Sequence, residues 1–371
     1  MTTRPPIAPP ERLLMGPGPS NPDPRVLDAM ARPMVGHLDP YFLEVMDRTM
    51  AMLREVYRTG NHHTIPMSGT GTSGLETIML NLLEPGDEAI VGVIGYFGQR
   101  LYELAVRAGA RVRMLEAPVG EILAPEQLAV ALETRPAKLV ALVHAETSTG
   151  AHQPLEEMVR IAHGHGALVA VDCVTSLGGM PVEIDAWDID AAGSCSQKCL
   201  GAPPGLGPIT LSPAAMDVVR ARKAPPTTWY FDLQLLFQYW GEGAPSRAFH
   251  HTAPVSSIYA FHEALRLTLE EGLERRWARH RRAHEALVAG LARLGLSLFT
   301  PEPHRLPMLN VIRIPEGVDD LTVRTRLLER GIEIAGGFGP LKGSTWRVGL
   351  MGMNADEERI ARLLDALASV I

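Results

Sequence analysis

Three short segments carry side chains whose types and spacing suit chemistry. The first is Ser68-Gly-Thr-Gly-Thr-Ser73, a turn of glycines and hydroxyls directly ahead of a helical pattern over 73–83. Gly69 and Gly71 let a ligand approach the backbone, and Thr70 and Thr72 add hydroxyls. A helix start offers free N–H groups and a partial positive charge, which favour a phosphate. The same residues also read as an ordinary Ser/Thr helix cap. No Gly-Lys-Ser/Thr follows, so this is not a Walker-type loop. The second segment is the apolar run Leu168-Val-Ala-Val-Asp172. A carboxylate at the end of a parallel strand lies where open α/β sheets bind ligands. There Asp172 either forms a turn or pairs with a cationic ring. The third segment runs from Asp190 through Lys198 into a loop rich in Gly and Pro. Lys198 is either a solvated charge or a partly buried amine able to attack a carbonyl. Cys195 and Cys199 flank it with C-x₃-C spacing, but no second Cys pair or nearby His follows, so no metal is expected.

The combination is more informative than its parts. Lys198 follows Asp172 by 26 residues, and both follow the glycine turn. An anion cradle, an acid opposite a ring nitrogen and an aldehyde-capturing amine are what pyridoxal phosphate requires.

The elements around these segments must hold them in register. Apolar runs at 89–93, 112–115, 139–143, 168–171, 189–192 and 209–211 read as strands. Helical stretches at 73–83, 99–108, 125–133 and 154–163 lie between several of them. Such alternation predicts an α/β fold with a mostly parallel sheet covered on both faces. Two further helices are expected at 24–32 and 40–58. The stretch 255–295 reads as long and helical, with its charge run at 274–282 as a solvated face. The last 75 residues or so read strand (310–314), helix (320–330), strand (332–335), strand (346–349), helix (355–370), a small α+β unit.

With 371 residues the chain can bury a sizeable core. Its net charge of −7 argues against a nucleic-acid partner. No window is long and apolar enough for a membrane helix. The proline-rich segment 1–12, with no apolar stretch, reads as an irregular arm rather than a secretory signal. Three cysteines (Cys173, Cys195, Cys199) fit a reducing compartment, and the cytoplasm is expected.

The chain resembles the class V, fold-type I aminotransferases, within them the alanine–glyoxylate/serine–pyruvate group. The motifs that carry the resemblance are Leu14-Met-Gly-Pro-Gly-Pro-Ser-Asn21, Ser68-Gly-Thr-Gly71, Glu84-Pro-Gly-Asp87, Gly98-Gln-Arg100, His144-Ala-Glu-Thr-Ser-Thr-Gly150, Val171-Asp-Cys-Val-Thr-Ser-Leu-Gly-Gly179, Ser196-Gln-Lys198, His250-His-Thr-Ala-Pro254 and Trp346-Arg-Val-Gly-Leu350. They span nearly the whole chain. The resemblance implies an arm over 1–21, a large cofactor-binding domain over 22–260 with a seven-stranded type of sheet, and a small C-terminal domain over 261–371 entered by a long helix. It implies pyridoxal phosphate held covalently by Lys198, with Asp172 at the ring nitrogen. Thr70, Gly71, Thr72 and Gln197 would take the phosphate, helped across a homodimer interface by Thr252. Thr147 would reach the 3′-oxygen side of the ring, with Val174 on one ring face and Phe97 on the other. Arg347 would grip the substrate carboxylate. The implied reaction moves an amino group from alanine or serine to glyoxylate or pyruvate. Ureidoglycine–glyoxylate transfer is the alternative, and a lyase or desulfurase on the same scaffold ranks below it because no Cys occurs after Cys199. Three positions depart from the family pattern: Phe97 stands where Trp is common, Thr72 where His is frequent, and Phe249 where a Tyr often reaches the partner's phosphate.

Overall fold

A computed structural model describes residues 6–243 and 247–371. Residues 1–5 of the expected arm lie outside this range. After the described part of the arm, β1 (Leu13–Leu14) leads toward two helices that local sequence starts cleanly. Asp23 and Asp39 each accept a hydrogen bond from the N–H two residues on, and each precedes a Pro. Helices α1 (Pro24–Met30) and α2 (Pro40–Tyr57) therefore begin with a satisfied cap and a residue that needs no N–H partner.

The central sheet has seven strands. In chain order come β2 (His63–Ser68), β3 (Glu88–Val93), β4 (Arg111–Glu116) and β5 (Leu139–Val143). A two-residue ribbon of β6 (Ala145–Glu146) and β7 (Ala151–His152) follows, outside the sheet. Then come β8 (Leu168–Asp172), β9 (Ala191–Gly193) and β10 (Leu206–Leu211). The spatial order is β2-β10-β9-β8-β5-β3-β4, with β10 antiparallel to both neighbours and every other pair parallel. All residues of β5 and β10 are buried, which explains the unbroken apolar sequence of β5. The edge strand β4 carries Arg111, Arg113 and Glu116, charges that discourage further pairing.

Helices α3 (Gly71–Leu82), α4 (Tyr96–Arg107), α5 (Pro125–Thr134) and α6 (Glu156–Gly164) connect the parallel strands. The chain then leaves the sheet through α7 (Pro213–Arg220), α8 (Leu233–Tyr239), α9 (Val255–Glu271) and α10 (Leu273–Arg293). The C-terminal part holds β11 (Leu309–Arg313), α11 (Asp320–Glu329), β12 (Ile332–Glu333), β13 (Ala335–Gly336), β14 (Thr345–Gly349) and α12 (Glu357–Ala368). There β14 lies between β11 and β13 in an antiparallel sheet, and β12 pairs in parallel with β1. One large apolar core follows the central sheet. A second gathers Leu13, Met15, Leu287, Trp346, Val348 and Leu363. Helix α10 serves both, through Trp277 at its start and Leu287 and Leu291 near its end.

Four expectations need correction. Strand β2 was not expected, because Pro66 interrupts its apolar run. The strand tolerates Pro because it lies at the sheet edge, where one side needs no N–H. The helical stretch 255–295 is two helices, broken at Gly272, whose φ of +83° leaves the helical region. The expected strand 332–335 divides its pairing between β1 and β14. The charge run of α10 is not uniformly solvated. Arg276 and His280 are buried, because Glu271 and the carbonyls of Gly178 and Cys199 supply acceptors for the Arg276 guanidinium.

Candidate active site

The parallel strands all point their C-terminal ends to one edge of the sheet, and the expected site residues collect there. Thr70, Gly71 and Thr72 follow β2, Phe97 follows β3, Thr147 follows β5, Asp172 ends β8 with Val174 just beyond, and Gln197 and Lys198 follow β9. This is the general location of ligand sites in open α/β sheets.

The cradle at the end of β2 is shaped by close packing. The Ser73 hydroxyl accepts from the Thr70 N–H at 2.8 Å and donates to the Thr70 carbonyl at 2.7 Å, so it closes the first turn of α3. The Thr70 side chain itself stays exposed. A Cβ on Gly71 would stand 2.9 Å from Cys195 Cβ, 3.0 Å from Val174 Cγ2 and 3.1 Å from the Ser194 carbonyl. Only glycine lets the helix start lie this close to the loops bearing Val174 and Lys198.

Asp172 is buried, and its Oδ1 accepts from the Val174 N–H at 2.8 Å. Its Oδ2 is 3.9 Å from Arg100 Nη2. Burial pushes this carboxyl up from its ordinary range, and the Arg100 charge opposes the shift. The Arg100 guanidinium also lies over the Phe97 ring at 4.6 Å and donates to Thr72 Oγ1 at 3.0 Å. Thr147 Oγ1 lies 2.6 Å from Thr175 Oγ1.

Lys198 is buried at 9% exposure, and its Nζ donates to the Pro17 carbonyl. Burial pushes its amine down toward the neutral form, and the nearby Arg347 charge pushes the same way. Its loop is held by Ser20, whose hydroxyl donates to the Lys198 carbonyl at 2.8 Å, and by the Arg276 guanidinium on the Cys199 carbonyl. The turn at residues 16–20 packs directly on it. A Cβ on Gly18, at φ +106°, would lie 2.6 Å from Lys198 Cδ. The two flanking thiols serve separate carbonyls, Cys195 on Val174 and Cys199 on Thr175. Burial raises them to about 11 and about 12.

Arg347 comes from β14 of the C-terminal sheet. Its Nε donates to the Gly336 carbonyl at 2.9 Å, and burial lowers its pKa while the Glu146 charge opposes this. The Gly349 N–H donates to the Met15 carbonyl at 2.8 Å, so the arm ties β14 to the Lys198 loop. Thr252 is not brought to this group. It is exposed and makes no hydrogen bond among the described residues, while its neighbour His251 has Nε2 2.7 Å from Ser68 Oγ.

Several residues here escaped the sequence reading. Glu146 is fully buried. Its Oε2 accepts from the N–H groups of Phe97 (3.1 Å) and Gly98 (3.2 Å), and its Oε1 from the Ser148 N–H (2.9 Å) and hydroxyl (2.6 Å). A Glu three residues past a strand as apolar as β5, with Thr and Ser following, was the available signal. Arg100 and Pro17 lie in motifs quoted above, but nothing in those motifs signals their roles, since each acts through tertiary contact.

These groups fit pyridoxal phosphate. Gln197 Oε1 and Arg100 Nε are buried with no hydrogen-bond partner among the described residues. Asp172 keeps one carboxylate oxygen beyond hydrogen-bond reach of its nearest cation, suited to a ring N–H. The glycine cradle offers open N–H groups for a phosphate.

The family model for aminotransferase class V matches residues 13–363. The chain is 40% identical over 390 residues to the (S)-ureidoglycine–glyoxylate transaminase of Bacillus subtilis, covering 100% of this chain and 93% of that protein. It is also 40% identical over 370 residues to the alanine–glyoxylate aminotransferase of Oryctolagus cuniculus, covering 99% and 94%. The solved alanine–glyoxylate aminotransferase from Nostoc sp. superposes with a TM-score of 0.97 at 48% identity, over 99% of this chain and 97% of that one.

Proposed function

Because the chain belongs to the class-V aminotransferase family, we propose that it transfers the amino group of a small amino acid, alanine or serine, to glyoxylate or pyruvate. The observation that carries this reading is a buried amine, Lys198, at the C-terminal edge of the sheet, close enough to Asp172 and Arg347 that both charges act on it. Both curated relatives named above are named for glyoxylate, which supports that acceptor; they differ in the donor. Ureidoglycine is therefore the second reading.

Pyridoxal phosphate, when bound, supplies a cationic ring that accepts the electron pair left on the substrate Cα. The chain's own groups do the rest. Arg347 grips the α-carboxylate with its guanidinium fork and holds the Cα–H in place. Lys198, its amine pushed toward neutrality by burial, would take that proton from Cα and deliver it to the cofactor's C4′ carbon. Asp172 keeps the positive charge on the ring nitrogen. Thr70, Gly71, Thr72 and Gln197 take the phosphate, Thr147 the 3′-oxygen side, and Val174 and Phe97 the ring faces. A 2-oxo acid leaves in the first half-reaction and a second one receives the amino group in the next, so kinetics should be ping-pong.

A homodimer completes this proposal. Met34, Leu38, Tyr41 and Phe249 are exposed, and the His37 and Phe249 rings lie 5.3 Å apart, beside the Thr252 segment. Exposed apolar side chains of this kind support an interface, and two-fold symmetry would place the partner subunit's Thr252 at the phosphate. A cytoplasmic setting is proposed on the three unpaired thiols. The test is a panel of amino donors, alanine, serine, glycine and ureidoglycine, each offered with glyoxylate and pyruvate. Turnover of none of them would overturn the assignment. Light scattering that found an active monomer would remove the dimer.

A further inference from the structure

Phe338 stands in the loop joining β13 to β14. Glycine makes that loop possible: a Cβ on Gly337 would fall 2.0 Å from the Leu341 carbonyl, and Gly339 has φ +53°. The Gly337 N–H donates to the Thr345 carbonyl at 2.7 Å and the Leu341 N–H to the Phe338 carbonyl at 3.0 Å, so the turn is pinned on both sides of the ring. The ring has two partners. The Arg347 Cζ lies 5.3 Å from its centroid. The Tyr96 ring meets it edge-on at 4.3 Å and 62°. Tyr96 is itself fixed, since its N–H donates to Ser148 Oγ at 3.0 Å and the next two N–H groups donate to the buried Glu146.

The guanidinium of Arg347 is thus held along one edge by the Gly336 carbonyl and on one face by Phe338. Its Nη1 and Nη2 make no hydrogen bond among the described residues. The ring also lines a cavity of about 300 Å³ together with Val93, Ile94, Tyr96, Pro340 and Leu341; Arg347 is not part of that lining. The Phe338 ring therefore touches both the guanidinium and this largely apolar space.

We propose that Phe338 is the positioning residue for the carboxylate-binding fork: clasped against Tyr96, it covers one face of the Arg347 guanidinium and fixes its plane. The proposal rests on the reading of Arg347 as the carboxylate clamp. A guanidinium packed on an aromatic face is weakly hydrated and keeps one plane, which a two-point carboxylate contact needs. Without the ring, the fork rotates and hydrates, and carboxylate binding weakens while the cofactor side of the site is untouched.

The test uses the holoenzyme and the variants Phe338→Ala, Phe338→Leu, Phe338→Tyr and Arg347→Gln. Three quantities are measured: KM and kcat for L-alanine with glyoxylate, inhibition by propionate, and the rate at which ethylamine changes the visible cofactor band. Phe338→Ala should raise the alanine KM and the propionate inhibition constant by roughly 2- to 30-fold, the range a face-on aromatic gives a cation. The change in kcat should be smaller, and the visible spectrum and the ethylamine rate should stay as in the wild type. Phe338→Leu, which keeps volume without a π face, should move the same way, and it decides the matter if the alanine variant does not fold. Phe338→Tyr should restore wild-type values. Unchanged propionate inhibition in Phe338→Ala or Phe338→Leu, or an equal loss toward ethylamine, overturns the proposal. Arg347→Gln separates the two readings. If it loses propionate binding while the Phe338 variants do not, only the role of Phe338 fails. If it binds propionate normally, the clamp itself fails and the proposal with it.

Discussion

Replacing Gly71 by Ala tests the phosphate cradle with one methyl group. The new Cβ would stand 2.9 Å from Cys195 Cβ, 3.0 Å from Val174 Cγ2 and 3.1 Å from the Ser194 carbonyl. None of these is the loose end of a flexible side chain. Cys195 and Ser194 belong to the loop leading to Lys198, and Val174 is a stiff β-branched residue. The first turn of α3 must therefore lift by several tenths of an ångström. Overpacking of this kind costs roughly 1–3 kcal/mol, against which Ala gains about 1 kcal/mol over Gly in a helix. Net stability should fall by no more than about 2 kcal/mol, leaving a folded protein. The larger effect is local, because the open N–H groups at the helix start move off the phosphate. Losing one charge-assisted hydrogen bond, about 1.5–3 kcal/mol, corresponds to a cofactor dissociation constant roughly ten- to a hundredfold higher. Equilibrium dialysis of the cofactor-stripped protein against pyridoxal phosphate measures this directly. Gly164→Ala in α6 is the control, since its Cβ would meet nothing within 4 Å. Wild-type cofactor affinity in Gly71→Ala would show that the phosphate does not bind at the start of α3.

Lys198→Ala should fold, and borohydride should then tag no lysine, whereas in the wild type it should tag the Lys198 peptide; a tag elsewhere refutes the assignment. Burial and the Arg347 charge both lower the Lys198 amine, so removing that charge in Arg347→Gln should move the pH midpoint of covalent cofactor capture upward. A downward shift, read by absorbance against pH, would contradict the geometry. Arg347→Lys should keep the cofactor spectrum yet lower kcat/KM for alanine by on the order of tenfold to a thousandfold, if roughly 1.4–4 kcal/mol of transition-state binding is lost. Glu146→Gln turns one acceptor oxygen into an N–H₂ that must face backbone N–H groups, so denaturant unfolding should show a loss of about 2–4 kcal/mol. An unchanged midpoint would mean that Glu146 does not hold the start of α4.

The central sheet was legible because its evidence is local. Strands β5 and β8 are unbroken apolar runs, and a strand buried on both faces has no other way to look. Strand β2 was not legible, because Pro66 removes an N–H that its edge position can spare, and edge position is a property of the assembled sheet. The break at Gly272 was hidden in the same way, since a glycine within a helical pattern is commonly tolerated.

By itself the sequence determined which chemistry is available. Asp172 and Lys198 each end or follow an apolar strand, and residue type with strand position already selects a carboxylate and an amine at one sheet edge. It also determined that a glycine turn precedes α3. Tertiary structure alone decided how those groups are tuned. Arg100 reaches Asp172, Thr72 and Phe97 at once only because β3, β2 and β8 all end at the same edge of the sheet. Arg276 is buried rather than solvated because carbonyls far away in the chain accept its donors. Arg347, 149 residues beyond Lys198, meets it because the arm at Met15–Ser20 bonds to β14 on one side and to the Lys198 loop on the other. Periodicity and spacing report on neighbours along the chain. The field at a buried charge is set by whatever the fold packs around it, and no local pattern records that.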